Sequence, residues 1–218
     1  MQGLTNDTRK IFRAVSLLPC VRSYILIGGT ALSLQINKRK SEDMDFCTWT
    51  KKLKNDKPTV DWPAIERELE TAGKIESRDI LGFDQVNYVV KGVRVTFVAK
   101  QENLSPVKKP VAILNNITAA DISAIGAMKI ELILRRSEFR DYYDIYSILK
   151  EGILLKDIVN TAVKYSNHRL KTRDALAFLS NGSNFKPDKS FVLLEPVYNV
   201  DHKGIEEYIK SVIRKEYI

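Results

Sequence analysis

Cysteine and histidine are scarce in this sequence, and their scarcity excludes several classes of protein. Of 218 residues, two are cysteine (Cys20 and Cys47) and two are histidine (His168 and His202). Two cysteines provide neither a disulfide framework nor the spacing of a zinc site. Triads with a serine or cysteine nucleophile need a histidine base, and both histidines lie in polar, helical stretches. We therefore predict neither a hydrolase of these types nor a histidine-rich metal enzyme.

Long apolar runs are also missing. No segment approaches the ~18 apolar residues that a membrane-spanning helix needs. Near the N-terminus, Arg9, Lys10 and Arg13 interrupt every apolar run, so we find no signal peptide. We therefore expect a cytoplasmic, reduced protein with no membrane partner.

Positive charge is in excess. The net charge is +8 and the pI is about 9.3, so long-range attraction to polyanions is expected. Basic clusters occur at residues 38–40, 51–54, 108–109 and 164–173. Each cluster alone could be solvated surface. Together they favour a nucleotide or RNA partner over a membrane, because no strongly basic amphipathic helix is visible; an aromatic RNA-binding signature does not stand out.

The clearest chemistry lies in residues 24–46. Residues 24–27 predict a short buried strand, which runs into a turn formed by Gly28 and Gly29 and then into a helix that opens at Thr30. Glycine lets backbone N–H groups approach an anion closely, and a helix N-terminus adds the positive end of its dipole. This half of the stretch therefore favours phosphate.

Two aspartates follow on a second predicted strand, residues 43–48. Asp43 and Asp45 occupy positions i and i+2, which point to one face of a strand about 7 Å apart. Two such carboxylates repel each other unless a cation or a donor lies between them. Mg²⁺, which carboxylates and substrate phosphates hold together, is the natural occupant.

These residues resemble the opening motif of polymerase-β-like nucleotidyltransferases, and in particular of the AbiEii/AbiGii toxin family. The chain has Gly-Gly-Thr-Ala-Leu at 28–32 and Ser-Glu-Asp-Met-Asp-Phe at 41–46, where the family has Gly-Gly-Thr-Ala-Leu and Ser-x-Asp-Ile-Asp-Phe. The resemblance implies that Asp43 and Asp45 hold Mg²⁺ or Mn²⁺. It also implies that the phosphates of a nucleoside triphosphate (NTP) bind to Gly28, Gly29, Thr30 and Ser41.

A second charged group follows on predicted helices. On one continuous helix, four residues would fall within an arc of about 80°: Lys129, Arg136, Arg140 and Asp144. A charged, outward-facing surface would show the same pattern. With Asp141, Ile145 and Tyr146, however, these residues resemble the family's downstream signature Lys…Arg…(Lys/Arg)-Asp-x-x-Asp-(Leu/Ile)-Tyr.

By that likeness, Lys129 contacts the triphosphate as a point charge. Arg136 and Arg140 either bind phosphate oxygens or pair with Asp141 and Asp144 to hold the helices together. Asp144 has two open roles, catalytic residue and structural partner. We predict Lys129 and Asp144 as catalytic residues beside Asp43 and Asp45.

One position departs from the superfamily pattern. Its members usually carry a third carboxylate on a later strand, which helps to hold the metal and accepts the proton of the acceptor hydroxyl. Here the strand Val-Arg-Val-Thr-Phe at residues 93–97 has Thr96 where that carboxylate is expected. Threonine is neither a charged ligand nor a base at neutral pH. Three alternatives follow. Another group binds the metal and accepts the proton, the acceptor hydroxyl is only weakly activated, or catalytic activity is lost.

The order of elements predicts an α+β fold: a polymerase-β-like core with a mixed sheet and helices, followed by a mainly helical C-terminal region. A polar stretch with two prolines at 101–110 divides the chain into a nucleotidyltransferase core (1–110) and a helical domain that completes the site (111–218). Strands are predicted at 24–27, 43–48, 74–80, 85–90 and 93–99, the last two joined by a turn at Lys91-Gly92. Helices are predicted at 5–18, 30–36, 62–72, 118–133, 137–150, 155–167, 172–179 and 203–214, and loops at 51–61 and 181–188.

We therefore expect a Mg²⁺-dependent nucleotidyltransferase that moves a nucleoside monophosphate from NTP to a hydroxyl of an RNA, such as a tRNA end, or of a protein. The resemblance implies the toxin of a toxin–antitoxin or phage-defence pair, with an antitoxin protein as partner. The alternative is a catalytically weak or inactive nucleotide- or RNA-binding module on the same fold.

Overall fold

A computed structural model describes residues 1–50, 57–102, 105–133, 135–185 and 188–217. The chain folds into two compact units, Met1–Asp121 and Ile122–Ile218. Residues 51–56 and 186–187 of the two predicted loops and 103–104 of the polar stretch lie outside the described residues, as does the basic cluster at 51–54.

The first unit contains a mixed sheet. Its strands are β1 (Ile25–Ile27), β2 (Met44–Thr50), β3 (Ile75–Ile80), β4 (Gln85–Val90), β5 (Val93–Gln101), β6 (Val111–Leu114) and β7 (Ile117–Ala119). In the described part of the unit these seven strands have the order β3-β4-β5-β2-β1-β7-β6. The pairs β2–β5 and β1–β7 are parallel, and the other neighbours are antiparallel.

One face of the sheet is the core of this unit. Phe97 of β5 stacks on Phe46 of β2 with ring centroids 5.2 Å apart, and Tyr24 meets Phe97 edge-on at 5.0 Å. Burial of each large apolar side chain contributes roughly 1.5–3 kcal/mol. Tyr88 of β4 lies on the same side and donates its hydroxyl to the carbonyl of Trp62 at 2.9 Å.

Among the described residues of the first unit, three segments are α-helices: α1 (Asn6–Val15), α2 (Gly28–Ile36) and α3 (Trp62–Ala72). The start of α3 follows from its sequence, because the carboxylate of Asp61 accepts a hydrogen bond from Ala64 N at 3.2 Å and a proline lies in the first turn. Its last residue precedes Gly73. Both ends of α3 agree with the prediction.

Apart from shifts in the ends of α1, β1, β2, β3 and β5, two differences from the predicted elements concern the first unit. The helix α2 begins at Gly28 and not at Thr30, so the two glycines form its first turn. Residues 111–119, predicted to belong to a mainly helical region, instead form β6 and β7. Those strands are too short for a clear alternation of apolar residues, and their pairing with each other and with β1 is a long-range feature.

The second unit is helical. Its helices are α4 (Ile122–Leu132), α5 (Phe139–Lys150), α6 (Leu155–Tyr165), α7 (Thr172–Leu179) and α8 (His202–Tyr217). Gly126 lets α4 approach α6, since a Cβ there would lie 3.0 Å from Ile158 Cγ2. Tyr142 of α5 stacks on Phe185 with centroids 3.9 Å apart. Among the described residues, no helix combines the length and apolar character of a membrane span.

The turn between β4 and β5 is the predicted hairpin. Lys91 and Gly92 both have positive φ, 48° and 77°, as a two-residue type I′ turn requires. A Cβ added to Gly92 would meet nothing within 4 Å. The backbone conformation alone therefore decides the effect of a substitution here.

We expect Gly92→Ala to lower the free energy of unfolding by about 1 kcal/mol, because an L side chain disfavours the left-handed region. The matched substitution Lys91→Asn is expected to raise it by about 0.5 kcal/mol, since asparagine tolerates that region. Urea unfolding measures both. Effects of the same sign would contradict this account of the turn.

Candidate active site

In the first unit, the start of α2 and one of the two aspartates are neighbours. Strands β1 and β2 pair so that Ile27 lies opposite Asp45, and Gly28 follows Ile27 at once. A Cβ on Gly28 would lie 3.0 Å from Asp45 Oδ2. The φ of Gly28 is 71°, a conformation that glycine adopts without strain. The backbone at the helix start and the carboxylate therefore share one edge of the sheet.

Two hydroxyl groups connect this helix start to the segment before β2. The Thr30 hydroxyl lies 2.9 Å from Ser41 Oγ and also donates to the backbone carbonyl of Asp43. Both Thr30 and Ser41 are buried. A Cβ on Gly29 would lie 3.1 Å from Ser41 Oγ and 2.7 Å from Nη2 of Arg39, which is also buried. Only a glycine leaves this space open.

The N-terminal segment supports the same loop. Ser41 N donates to the carbonyl of Gly3 at 3.0 Å, and Thr5 N donates to the carbonyl of Ser41 at 3.1 Å. Thr8 Oγ1 donates to the carbonyl of Glu42 at 2.6 Å. These supports and the position of Arg39 could not be predicted from the sequence, because no local pattern indicates such long-range contacts.

The two aspartates flank a buried residue, at the alternate positions that face one side of an extended chain. Met44 is fully buried, whereas Asp43 and Asp45 are partly exposed. On the neighbouring strand, Arg94 Nη2 lies 2.5 Å from Asp43 Oδ2. This ion pair could not be predicted from the sequence, because it depends on the register of β2 against β5.

Thr96 lies directly beside Asp45, since these two residues are paired in the parallel register of β2 and β5. Its side chain is largely buried, with 7% of the residue exposed. The position on β5 next to the second aspartate is therefore held by an uncharged hydroxyl. Across the described residues, no group of three or more histidine, cysteine, aspartate or glutamate side chains is arranged to hold a metal.

A smaller donor set is enough for Mg²⁺. This ion usually keeps several waters and binds through one or two carboxylates together with substrate phosphates. Asp43 and Asp45 are two partly exposed carboxylates, and Asp45 Oδ2 lies next to the helix start, 3.0 Å from the point where a Gly28 Cβ would lie. These residues fit a divalent cation, Mg²⁺ or Mn²⁺, that is shared with a triphosphate.

In the second unit, the predicted charged residues form a buried ion-pair cluster. Lys129 Nζ of α4 lies 2.6 Å from Asp141 Oδ1 and 2.7 Å from Asp144 Oδ2, both on α5. Only 6% of the Lys129 side chain is exposed. Arg136 donates to both oxygens of Asp141, with Nε–Oδ2 at 2.9 Å and Nη2–Oδ1 at 3.2 Å. Arg140 Nε pairs with Glu138 Oε2 at 2.5 Å.

The cluster is built by two helices and not by one. Because α4 ends at Leu132 and α5 begins at Phe139, the common face expected on a continuous helix does not exist. The fork of Arg136 on Asp141 corresponds to the structural alternative for that arginine. The contact of Asp144 with Lys129 is compatible with both of its open roles.

The electrostatics of Asp141 follow from this arrangement. Burial by itself raises the pKa of Asp141. The ammonium of Lys129 and the guanidinium of Arg136 outweigh it and lower the pKa from 3.8 to about 2. Asp141 is thus ionised throughout the physiological range and neutralises two cations.

We expect Asp141→Asn to lower the free energy of unfolding at pH 7 by about 3 kcal/mol, because it removes the carboxylate that Lys129 and Arg136 share. The folded-state pKa is depressed, so the contribution of Asp141 is complete above pH ~4. It is lost as the pH falls through the folded-state pKa of about 2. The difference between wild type and variant should therefore shrink over this window.

Denaturant unfolding at several pH values measures the difference. The control is Asp174→Asn, since Asp174 forms an exposed pair with Arg173 at 3.6 Å and should change stability by less than about 1 kcal/mol. Equal losses in the two variants would contradict the structural role of Asp141.

Comparisons with known proteins give the family of the chain. Residues 11–202 match the family model described as nucleotidyl transferase AbiEii toxin, type IV toxin–antitoxin system. The chain is 26% identical over 225 residues to the uncharacterized protein aq_aa25 of Aquifex aeolicus, with 100% of this chain and 99% of that protein covered.

Two solved structures from Helicobacter pylori share the fold. One is described as a candidate nucleotidyltransferase and aligns with a TM-score of 0.54 at 18% identity, over 95% of this chain and 92% of its own. The other, JHP933, aligns with a TM-score of 0.54 at 17% identity, over 97% and 94%. The α+β nucleotidyltransferase fold expected from the sequence is therefore confirmed. Because the family model spans most of the sequence, the chain belongs to the AbiEii toxin family and is a nucleotidyltransferase.

Proposed function

We propose that this nucleotidyltransferase moves a nucleoside monophosphate from an NTP to a hydroxyl group of RNA in a Mg²⁺-dependent reaction. An acceptor oxygen attacks the α-phosphorus, the bond to the β-phosphate breaks, and pyrophosphate and the hydroxyl proton are released. The observation that carries the proposal is the position of Asp45 Oδ2, 3.0 Å from the point where a Gly28 Cβ would lie. This position brings a carboxylate that could hold a metal close to a backbone segment that could bind phosphate.

The start of α2 is proposed to bind the phosphates. The N-cap residue of this helix, Ile27, makes no side-chain hydrogen bond to the first N–H groups, and these groups carry the positive end of the helix dipole. The hydroxyls of Thr30 and Ser41, 2.9 Å apart, lie next to them. Mg²⁺ held by Asp43 and Asp45 would supply charge neutralisation for the in-line displacement.

In the second unit, Lys129 is proposed as a positive charge for phosphate binding, and Asp144 Oδ2, 2.7 Å from Lys129 Nζ, is proposed to orient its ammonium. Arg136 holds α4 to α5 through Asp141. Arg140, whose side chain is 30% exposed, is proposed as a further phosphate-binding residue.

The acceptor is proposed to be RNA, such as a tRNA end. A net charge of +8 favours a polyanion over a neutral protein surface. The toxin–antitoxin assignment of the family implies an antitoxin as partner. The proposed place of action is the cytoplasm, where NTPs and RNA are available.

A transfer assay tests the proposal. The purified protein is incubated with each α-labelled NTP, Mg²⁺ and total cellular RNA or lysate, and labelled products are digested with ribonuclease or protease. We expect label that ribonuclease removes. Asp43→Asn and Asp45→Asn should each reduce transfer by about 1,000-fold or more, because several kcal/mol of charge stabilisation are lost.

The control for the two variants is Glu42→Gln, a neighbouring exposed carboxylate whose loss should change the rate less than twofold. Transfer that persists in both aspartate variants would reject the site. Label that only protease removes would replace RNA with a protein acceptor.

The rival function is a catalytically inactive nucleotide- or RNA-binding module. The observation that favours it is Thr96, an uncharged residue paired with Asp45. Calorimetry separates the two functions: tight Mg²⁺-dependent NTP binding, with no product on RNA or protein, would favour the rival.

A second substitution tests the phosphate-binding role of α2. We expect Gly29→Ala to raise the KM for NTP about tenfold, because its Cβ would lie 2.7 Å from Arg39 Nη2 and 3.1 Å from Ser41 Oγ. Alanine is the better helix former, by about 1 kcal/mol, so a higher KM would not reflect a weaker helix. Gly92→Ala, at the distant β4–β5 turn, is the control and should leave KM unchanged. An unchanged KM in Gly29→Ala would remove α2 from the phosphate site.

A further inference from the structure

Arg94 is a charged residue at the candidate site that the proposed function does not yet use. Its Nη2 lies 2.5 Å from Oδ2 of Asp43. Asp43 is also one of the two carboxylates proposed to hold the divalent cation. A guanidinium and a metal ion therefore have the same carboxylate as their partner.

The strand register directs Arg94 to this place. Its neighbours Val93 and Val95 are buried, and successive side chains of a strand point to opposite faces. Met44 is paired with Val95, and Asp45 is paired with Thr96. Arg94 consequently emerges beside Asp43, on the face that carries both aspartates.

The ion pair between Arg94 and Asp43 is exposed enough to solvent for either residue to exchange its partner. The side chain of Arg94 is 52% exposed and that of Asp43 is 30% exposed, and ion pairs between exposed groups contribute little to stability. The pair between Arg136 and Asp141 differs, because the Asp141 side chain is completely buried. Breaking that pair would leave charge in the interior, whereas Arg94 can move into water or onto another anion.

We propose that Arg94 and the divalent cation compete for Asp43. Without metal, the guanidinium neutralises Asp43. When metal binds, Arg94 is released and binds phosphate oxygens of the NTP, for which a guanidinium fork is well suited. This inference rests on the proposed function, because it takes Asp43 as a metal ligand.

The first experiment measures Mn²⁺ binding to the full chain without nucleotide, by electron paramagnetic resonance of the free ion. Arg94→Gln is compared with Arg78→Gln, since Arg78 forms a similar pair with Glu66 at 2.5 Å on another part of the first unit. Both variants lose one positive charge. We expect Arg94→Gln to bind Mn²⁺ about threefold to tenfold more tightly, and Arg78→Gln to change affinity less than twofold.

The second experiment measures binding of a non-hydrolysable NTP in saturating Mn²⁺. Here Arg94→Gln should bind about tenfold more weakly, because a charge-assisted hydrogen bond to phosphate is lost. Arg94→Lys should recover part of the affinity. Opposite effects on metal alone and on the metal–nucleotide complex are not expected from a residue that merely supports the fold.

The outcomes separate the inference from the proposed function. Equal Mn²⁺ affinities in Arg94→Gln and Arg78→Gln would overturn the competition, and unaltered nucleotide affinity in Arg94→Gln would overturn the phosphate contact. In both cases the proposed function stands if Asp43→Asn still abolishes Mn²⁺ binding. Unaltered Mn²⁺ binding in Asp43→Asn, with and without nucleotide, would reject the metal site and the inference together.

Discussion

The antiparallel register of β1 and β2 is the constraint on which the candidate site depends. It pairs Ile27 with Asp45, so the chain enters α2 beside a carboxylate. A slip of one residue would turn Asp45 toward the core and Met44 toward solvent. The stacking of Phe46 on Phe97 at 5.2 Å, on the other face of the sheet, opposes that slip. Aromatic packing in the core therefore fixes the register that places Asp45 on the opposite face of the sheet.

The ion pairs of the two units differ in their exposure to solvent. In the first unit, Asp43 and Arg94 are partly exposed, so water screens them and the pair can exchange partners. In the second unit, Lys129, Asp141 and Asp144 are almost completely buried, and each charge needs its partner to avoid a large desolvation cost. The exposed pair suits a changing set of ligands, and the buried cluster suits a fixed geometry between α4 and α5.

Much of the fold could be predicted from local patterns. The bounds of α3, β4 and α7 agree with the prediction, because caps, alternation and helical spacing are properties of neighbouring residues. The glycines and aspartates of the candidate site were recognisable for the same reason, although their roles stay proposals. The strands β6 and β7, and the contacts of Arg39 and Arg94, could not be predicted. They depend on pairings between residues far apart in the chain, which no periodicity encodes.

The net charge of the sheet face that carries Asp43 and Asp45 affects how a metal ion would bind there. With a third carboxylate beside Asp45, this face would carry three negative charges. Thr96 stands at that position, and Arg94 pairs with Asp43, so the face carries less negative charge than three carboxylates would give it. Such a face attracts a free divalent cation weakly, whereas an NTP brings its own phosphate ligands for the metal. Under the proposed function, this arrangement favours entry of the cation as a complex with the triphosphate.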